Sequence, residues 1–510
     1  MKILSKLNSL LEKKLSGLIL YISFTISILF TFLFLNQPII EEHAFRQTQT
    51  ALTSLYLLKD GFQFDYRTPT LGYPWSIPFE FPIYQWIVAI TYKYIFSFIN
   101  FNLDMTGRLI SYLFFLGCLF PYAGVIKLFN IPIIHIKFFI STIISSSFYL
   151  FWASTFLIES TVLFFSLSFL YFSLLIIFKK EESTLNYLLM SLFLVLALLQ
   201  KITTSFPILL IVFLLRIFTL RSFYYERESF YKLFRFCSYL ILPSLIFLYW
   251  TYYSENVRSL NFFGALINEA TFDWNFGPIK LAFDPLNWLS LFFYRLENIP
   301  IYLLSLIYIP CFIFWDKFRN ITIIFLFTAL TLAPVLIFRN VHAIHNYYQF
   351  SSYFFLFTIP LLFIYFSNLN KYKYFLYLLL IIINLASFFT SDYFNKRIEA
   401  KTVENNSILN LANFIKNKSN NTDRFVLIGH DWSSAIPYYS ERLGLVVPAW
   451  NKNYEIEAIK KPLKFLDKIP NYYILCFQSI DDLNVYKELL TLRNYQEINK
   501  GNECIIFTKK

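Results

Sequence analysis

The sequence contains little charge and little glycine. Of its 510 residues only 15% are charged and 11 are glycine, whereas 57% are hydrophobic and the mean hydropathy is +0.52. Soluble domains rarely have this balance, and the repeated apolar runs of about 17–22 residues match the thickness of a hydrocarbon layer. The composition therefore predicts a helical protein that crosses a membrane many times.

The sequence also lacks several motifs that would assign a function. Neither a G-x-G-x-x-G run nor a P-loop is present, so nucleotide binding is not expected. No internal repeat and no low-complexity tract is visible. The net charge of +12 is not concentrated in a compact basic domain, which disfavours nucleic acid as a partner. Basic loops beside anionic lipid head groups explain this charge better.

Cysteine is scarce as well. The five cysteines do not show the short spacing of a metal site, and those at positions 118, 237 and 311 lie in or beside apolar runs. Cys476 and Cys504 share the C-terminal region and can pair if that region faces an oxidising compartment. The sequence leaves this pairing open, because a disulfide requires a geometry that only the fold provides.

The long apolar runs predict about eleven transmembrane helices. Lysines at positions 2, 6, 13 and 14 precede the first run, which is expected to be an uncleaved anchor that begins in the cytoplasm. The segment 81–98 is interrupted by Gln85 and Lys93, so we expect a helix in the membrane interface there. The predicted spans are about 18–35, 108–128, 133–153, 158–178, 185–199, 206–220, 239–253, 301–315, 321–338, 350–366 and 375–389.

Two domains follow from this pattern. Residues 1–391 are predicted to form a transmembrane domain with a first extracytoplasmic loop at 36–107. From about residue 392 the composition is that of a soluble protein, so 392–510 is predicted to be a small extracytoplasmic α/β domain. Its predicted strands are 425–429, 473–477 and 503–508, and its predicted helices are 408–416 and 435–441.

The first loop opens with an unusual polar stretch. Residues 40–51 read I-E-E-H-A-F-R-Q-T-Q-T-A, which puts two adjacent carboxylates beside a membrane boundary. Glu41 or Glu42 is a candidate to take or orient the proton of an acceptor hydroxyl. His43, Arg46 and Gln47 are candidate substrate ligands beside them. The alternative is that both glutamates only favour the N-terminus of the following helix.

A second polar stretch, R-N-V-H-A-I-H-N-Y-Y-Q at 339–349, lies on the same predicted side of the membrane. Arg339, His342 and His345 are candidates to bind a departing lipid phosphate through charge-assisted hydrogen bonds. Tyr347 and Tyr348 are candidates to line the pocket. Two other interpretations stay open. The histidines, with a first-loop glutamate, could hold a divalent metal, or the stretch is an interfacial aromatic belt.

Charged residues also occur at two turns between predicted spans. Glu159, in W-A-S-T-F-L-I-E-S, is unfavourable near lipid unless paired or hydrated, so it is expected to be a site residue or a packing partner. Lys201, in L-L-Q-K-I-T-T-S, is either a phosphate ligand or a side chain that reaches the interface. A weaker candidate for sugar binding is D-W-N at 273–275. G-H-D-W-S at 429–433 follows a predicted strand, where α/β folds often place ligands.

In these residues the chain resembles bacterial GT-C glycosyltransferases related to the protein O-mannosyltransferases and the lipid A aminoarabinose transferase. The resemblance starts from the acidic pair in E-E-H-A-F-R-Q-T-Q-T-A and extends in topology over nearly the whole chain. Further matching segments are P-F-E-F-P-I-Y-Q at 78–85, Gly107-Arg108, Glu159, Gln200-Lys201, H-N-Y-Y at 345–348 and P-Y-Y-S-E-R at 437–442.

The resemblance implies a GT-C fold, a polyprenyl-phosphate sugar donor and an inverting displacement at the anomeric carbon on the extracytoplasmic face. The first-loop acidic residue of the family corresponds to Glu41 or Glu42. The implied acceptor is a hydroxyl of a cell-envelope glycan, lipid or protein. Many such relatives work without a metal, whereas oligosaccharyltransferases of the same superfamily need one. The resemblance therefore leaves a divalent metal possible and implies no other cofactor.

Two other functional classes compete with this interpretation. A transporter or flippase of lipid-linked sugars would also gather polar groups between apolar helices. Here those groups cluster on one predicted face and not at the midplane, and no inverted repeat is visible. A non-catalytic scaffold for envelope assembly would not need a carboxylate pair beside Arg46. The sequence therefore predicts a mainly α, multi-pass glycosyltransferase of the inner (plasma) membrane.

Overall fold

The computed structural model describes residues 2–220, 227–288, 321–367, 372–401, 406–476, 480–500 and 504–510. Within these ranges, seven helices are long and apolar enough to cross a membrane: Glu12–Leu33, Leu103–Leu128, Glu159–Phe178, Ile202–Leu220, Glu228–Ser259, Asn346–Phe366 and Lys373–Thr390. Three shorter apolar helices are Ile133–Ile144, Thr184–Gln200 and Thr322–Ile337. These ten overlap ten of the predicted spans, and the predicted span 301–315 lies outside the described residues. The prediction of a polytopic helical membrane protein is confirmed.

The apolar helices differ in how much of their surface the protein itself covers. Helix Glu159–Phe178 is hydrophobic on all sides, and most of its side chains are buried. Helix Glu228–Ser259 instead exposes large apolar side chains such as Leu242, Leu248 and Tyr249. In a bilayer, lipid chains cover such a surface. In water, the same surface would favour aggregation. This helix therefore faces lipid along much of its length.

One predicted span is interrupted by a serine-rich break. The segment 133–153 forms helix Ile133–Ile144 and a short helix, Ser147–Trp152. Between them, the Ser146 side chain accepts a hydrogen bond from the Tyr149 N–H and so caps the second helix. Serine favours caps because its hydroxyl competes for backbone hydrogen bonds. The hydrophobic pattern does not show the break, since the sequence is equally apolar on both sides.

By contact density the chain forms two compact units. The first, which we call the membrane unit, comprises Met1–Asn36, Arg108–Tyr249 and Phe272–Arg397. The second, which we call the sheet unit, comprises Gln37–Gly107, Trp250–Thr271 and Ile398–Lys510. The first loop thus belongs to the same compact unit as the C-terminal region. A domain boundary at residues 391 and 392 stays a prediction.

A five-stranded mixed sheet is the centre of the sheet unit. Its strand order is β2-β1-β3-β5-β4, with β1 parallel to β2 and β3, and β5 antiparallel to β3 and β4. The strands are β1 Arg424–Ile428, β2 Leu443–Val446, β3 Tyr472–Cys476, β4 Tyr495–Lys500 and β5 Cys504–Lys509. The three predicted strands match β1, β3 and β5. Two strands were not predicted from the sequence: β2, which is only four residues long, and β4, which is mostly polar.

The remaining helices are short. In the sheet unit they are Ala44–Asp60, Ile83–Tyr94, Ser407–Lys418, Ala435–Ser440, Lys452–Lys460 and Ile480–Leu492, with 3-10 helices Phe96–Ile99 and Pro462–Lys464. Helix Phe262–Phe276 follows the long helix that ends at Ser259, and helix Asp392–Lys401 contains the boundary between Arg397 of the membrane unit and Ile398 of the sheet unit. The membrane unit adds Ile279–Ala282, Arg339–Ile344 and the 3-10 helix Asn346–Gln349. The interfacial helix predicted at 81–98 corresponds to Ile83–Tyr94 and Phe96–Ile99.

The first loop is built into the sheet unit by backbone pairing. Leu71 forms an antiparallel bridge with Leu445 of β2, and the Val446 N–H donates to the Thr70 carbonyl at 2.8 Å. Leu71 also belongs to an apolar core that includes Trp75 from the loop and Val426 from β1. Because these contacts join residues far apart in the chain, the loop folds together with the C-terminal region.

A disulfide fixes two neighbouring strands of the sheet. Cys476 at the end of β3 lies directly opposite Cys504 at the start of β5, and the two are bonded. The pairing that the sequence left open therefore forms. Strand register explains it, since directly opposed residues in an antiparallel pair bring their Cβ atoms within disulfide distance.

Candidate active site

The two glutamates of the first loop lie just before helix Ala44–Asp60. Glu41 is buried and Glu42 is partly buried. His43 is the N-cap residue in a left-handed conformation (φ 53°), and its side chain makes no capping hydrogen bond. The first turn of this helix contains no acidic residue. The glutamates therefore lie before the first turn of the helix, at the start of the turn through His43.

Polar neighbours surround this pair within the sheet unit. His43 Nε2 lies 3.7 Å from Glu42 Oε1, so a protonated His43 would pair with that carboxylate. Gln47 is fully buried, and its Nε2 donates to the Glu42 carbonyl at 3.0 Å. The predicted ligands His43 and Gln47 thus contact the second glutamate directly. Their arrangement fixes the backbone that carries the carboxylates.

Arg46 contacts a carboxylate that the sequence analysis did not select. Its Nη2 donates to both oxygens of Glu80 at 3.1 Å, and its Nη1 donates to Gln49 Oε1 at 2.6 Å. Gln85 Nε2 donates to the same Glu80 at 2.7 Å. The only sequence signal for Glu80 was its place in P-F-E-F-P-I-Y-Q. The sequence predicts Arg46 as a substrate ligand. In the structure, Arg46 also orders the Glu80 carboxylate.

Tyr66 holds the backbone of the Glu80 segment through two hydrogen bonds. Its hydroxyl donates to the Glu80 carbonyl at 2.8 Å and accepts from the Phe79 N–H at 3.0 Å. Burial, and then the negative charge of Glu80, raise the pKa of Tyr66 well above its usual value. The hydroxyl therefore stays protonated and keeps its donor role at any physiological pH.

In the membrane unit, the structure brings four of the predicted residues together. Lys201 is the C-cap residue of helix Thr184–Gln200, and Glu159 is the first residue of helix Glu159–Phe178. Lys201 Nζ donates to Glu159 Oε1 at 2.7 Å, with both side chains at most 9% exposed. The same Nζ lies 3.5 Å from the ring centre of Tyr348 and 5.2 Å from that of Tyr347. A buried cation is thus held by one carboxylate and two aromatic faces.

The two histidines extend this cluster. The His345 ring lies 5.3 Å from the Tyr347 ring and 5.6 Å from the Trp274 ring, and the His342 ring lies 5.9 Å from the Tyr348 ring. Both histidines are buried. Trp274 was one of the weaker sequence candidates for sugar binding. The two imidazoles therefore extend the group formed by Lys201, Tyr347 and Tyr348, and the Trp274 ring is in contact with it through His345.

Arg339 is buried at the start of helix Arg339–Ile344. Its Nη2 donates to the carbonyls of Pro278 and Phe276 at 2.8 and 3.3 Å, which anchors the guanidinium to the chain after helix Phe262–Phe276. Its buried Nη1 has no hydrogen-bond partner among the residues that the structure describes. A buried guanidinium nitrogen is stabilised by an acceptor oxygen, such as that of a phosphate.

Histidine, cysteine and carboxylate side chains are the possible ligands of a metal ion in this chain. Across the described ranges, the ligand atoms of His430, Cys476 and Cys504 lie within 4.8 Å of one another. Two of these three residues are used by the disulfide. His342 and His345 belong to no such group of three within the described part of the chain.

Comparison with known proteins adds the fold relationship. No protein-family model and no curated protein sequence matches the chain. The crystal structure of ArnT from Cupriavidus metallidurans bound to undecaprenyl phosphate matches with a TM-score of 0.62 and 11% identity, covering 96% of this chain and 97% of that one. The chain has a GT-C fold. The predicted GT-C type of helical membrane protein is thereby confirmed as a fold.

A second GT-C structure matches over most of this chain as well. The archaeal oligosaccharyltransferase AglB from Archaeoglobus fulgidus, in complex with an inhibitory peptide and a dolichol-phosphate, has a TM-score of 0.54 and 11% identity. The match covers 95% of this chain and 73% of AglB. At this identity the likeness concerns the GT-C fold alone, so the roles of side chains must be argued from their own contacts.

Proposed function

We propose that the chain is an integral membrane glycosyltransferase that moves a sugar from a polyprenyl-phosphate donor to a hydroxyl of a cell-envelope glycan, lipid or protein. The observation that carries this proposal is the GT-C fold, which matches ArnT over nearly the full length of both chains. ArnT was solved with undecaprenyl phosphate and AglB with a dolichol-phosphate. Both ligands join a phosphate to a long isoprenoid chain.

The reaction needs a base and a stabilised leaving group. In the proposed mechanism, Glu41 or Glu42 takes the proton of the acceptor hydroxyl, whose oxygen attacks the anomeric carbon of the sugar. The bond from that carbon to the phosphate oxygen breaks, and polyprenyl phosphate leaves with the bonding electrons. Attack opposite the leaving group inverts the anomeric centre. The extracytoplasmic face is the proposed side of the membrane for this step.

The cationic residues of the membrane unit suit the leaving phosphate. Arg339 has a buried Nη1 without a partner among the described residues, and Lys201 places an ammonium beside Glu159 in the same unit. We assign Arg339, Lys201, His342 and His345 to the phosphate. Donors that are already fixed by the protein stabilise developing charge without reorganising. Tyr347 and Tyr348 are proposed to line the pocket.

The other predicted ligands are given supporting roles. His43 and Gln47 contact Glu42, and we propose that they set the position of the carboxylates beside the acceptor. Arg46 is proposed to bind the sugar and to hold Glu80 in position beside it. Glu159 is proposed to hold Lys201 in place. The soluble region 392–510 is proposed to lie outside the membrane with the first loop.

The decisive experiment is sugar transfer from a native polyprenyl-phosphate pool by the purified full-length protein. Glu41→Gln and Glu42→Gln are compared with wild type and with Glu457→Gln, a control carboxylate on the surface of the sheet unit that pairs with Lys464. We expect one of the two loop variants to lose about 10²- to 10⁴-fold in turnover while still binding donor. The control should behave like wild type.

Other results would reject the proposal in different ways. Equal turnover in all variants would remove the two glutamates from the chemistry. A wild-type protein that transfers no sugar but moves lipid-linked sugar between leaflets would be a flippase. The leaflet assay uses the same preparation reconstituted in vesicles, so both activities are measured on one sample.

A further inference from the structure

Asp104 is a buried carboxylate that receives hydrogen bonds from two neighbouring tyrosines. It lies in the first turn of helix Leu103–Leu128 and is 6% exposed. The hydroxyl of Tyr438 donates to its Oδ1 at 2.5 Å, and that of Tyr439 donates to its Oδ2 at 2.8 Å. Both tyrosines belong to P-Y-Y-S-E-R, which the proposed chemistry does not use. All three residues belong to the sheet unit.

The two tyrosines differ in a contact to the segment before Glu41. The Tyr439 oxygen also accepts the backbone N–H of Ile39 at 2.8 Å. A phenol has a single proton, and because that proton goes to Asp104, the oxygen lone pairs are left to receive Ile39. Ile39 is fully buried and lies two residues before Glu41. Tyr439 therefore links Asp104 to the backbone that leads into Glu41 and Glu42.

The short helix that carries these tyrosines is held firmly. Its Ser434 cap residue shares a 2.7 Å hydrogen bond with Thr70, and Glu441 at its end pairs with Lys59 and Lys416. Burial, and then the charge of Asp104, raise the pKa of Tyr438 well above its usual value, so this hydroxyl stays a donor. The helix is thus a rigid support for a contact to the loop.

We propose that Tyr439 is a positioning residue, which holds the backbone at Ile39 and thereby sets where Glu41 and Glu42 stand for proton transfer. This inference rests on the proposed glycosyl transfer. The Ile39 contact holds the backbone just before Glu41, and the donor phosphate is assigned to other residues, so loss of this contact should change turnover and leave donor binding intact. A small displacement of a catalytic group strongly lowers the rate of a reaction that depends on near-attack geometry.

Tyr439→Phe and Tyr438→Phe form a matched pair for the test. Each removes one hydroxyl and one hydrogen bond to Asp104, but only Tyr439→Phe removes the acceptor of the Ile39 N–H. Hydrogen–deuterium exchange is followed in a peptide that contains Ile39, using the full chain in detergent. We expect exchange at Ile39 to become about tenfold faster in Tyr439→Phe, as for the loss of a buried hydrogen bond, and to change less than about twofold in Tyr438→Phe.

Steady-state transfer is measured on the same samples. We expect kcat to fall about tenfold in Tyr439→Phe, with KM for the polyprenyl-phosphate donor within about twofold of wild type. Tyr438→Phe should retain most of kcat. Exchange in peptides from β1 and β3 reports whether each variant keeps its fold.

Several outcomes would overturn the inference. Equal Ile39 exchange in the two variants would show that Tyr439 does not hold the loop. Faster exchange with unchanged kcat would show that the contact does not matter to the reaction, and a rise in KM alone would indicate a binding role. If wild type transfers no sugar, the proposed function fails together with the catalytic part of this inference, and the exchange arm still decides whether Tyr439 fixes the loop.

Discussion

At the scale of the residue, Lys201 shows how a buried charge is accommodated near lipid. Its ammonium is covered by Glu159, Tyr347 and Tyr348 and is hardly exposed. The sequence allowed two roles, phosphate ligand and interfacial side chain. The structure adds a third role, because the lysine pairs with Glu159, whose buried charge would otherwise not be neutralised. Pairs of this kind strongly destabilise a protein when only one partner is removed.

Removing the lysine should therefore be worse than removing both partners. We expect Lys201→Met to lower the free energy of unfolding by about 3–5 kcal/mol, because the Glu159 carboxylate keeps its buried place and loses its lysine. The double variant Lys201→Met/Glu159→Gln should recover part of that loss. Thermal unfolding in detergent measures both, with Lys179→Met, at an exposed lysine, as the control. A single variant as stable as this control would contradict the expectation.

At the scale of the element, Glu441 joins three helices of the sheet unit. It lies at the end of helix Ala435–Ser440 and pairs with Lys59 of helix Ala44–Asp60 at 2.9 Å and Lys416 of helix Ser407–Lys418 at 2.6 Å. Burial works to raise the pKa of Glu441, but the hydrogen bonds and charges of the two lysines outweigh it and lower that pKa. These helices come from the first loop and from the C-terminal region.

The sign of this pKa shift predicts a pH dependence. Because the folded pKa of Glu441 lies below its unfolded value of about 4.3, its stabilising effect is present above that pH and is lost as the pH falls through the folded pKa. We expect Glu441→Gln to lower the unfolding temperature at pH 7 and to approach wild type as the pH falls through the folded pKa of Glu441. The side chain is 34% exposed, so each pair contributes at most about 1 kcal/mol. Thermal unfolding from pH 3 to 8 checks this, and a difference between variant and wild type that does not shrink as the pH falls would refute it.

At the scale of the whole molecule, the number of spans decides the side on which the C-terminus lies. Ten apolar helices are found within the described ranges, and one further span is predicted at 301–315. Eleven crossings put the two termini on opposite sides of the membrane. With a basic N-terminus in the cytoplasm, the C-terminal region is predicted to lie outside. The disulfide between Cys476 and Cys504 fits an oxidising compartment.

Reporter fusions test this orientation directly. We expect alkaline phosphatase fused after Lys510 to be active in cells, because that enzyme folds only under oxidising conditions. A fusion after Lys180, in a predicted cytoplasmic loop, should be inactive and serves as the control. Green fluorescent protein at the same two positions should give the opposite pattern. Activity at Lys180 and none at Lys510 would require an even number of spans or a reversed topology.

Much of the fold could be predicted because its signals are local. A membrane span is recorded in about 20 consecutive side chains, and β1, β3 and β5 are recorded as short apolar runs. The break at Ser145 and Ser146 was not predictable, since a cap depends on one hydroxyl and one backbone N–H in the folded chain. Local pattern therefore determined element type, and local geometry determined where elements stop.

The candidate site divides in the same way. By itself, the sequence determined a polytopic helical protein and selected Glu41, Glu159 and Lys201 as polar residues out of place beside apolar runs. Only the tertiary structure decided that Glu159 and Lys201, which are 42 positions apart, form a pair, and that Glu80 is the partner of Arg46. Hydrophobicity is a property of each residue and can be read along the chain, whereas a hydrogen bond across tens of residues exists only after the chain has folded.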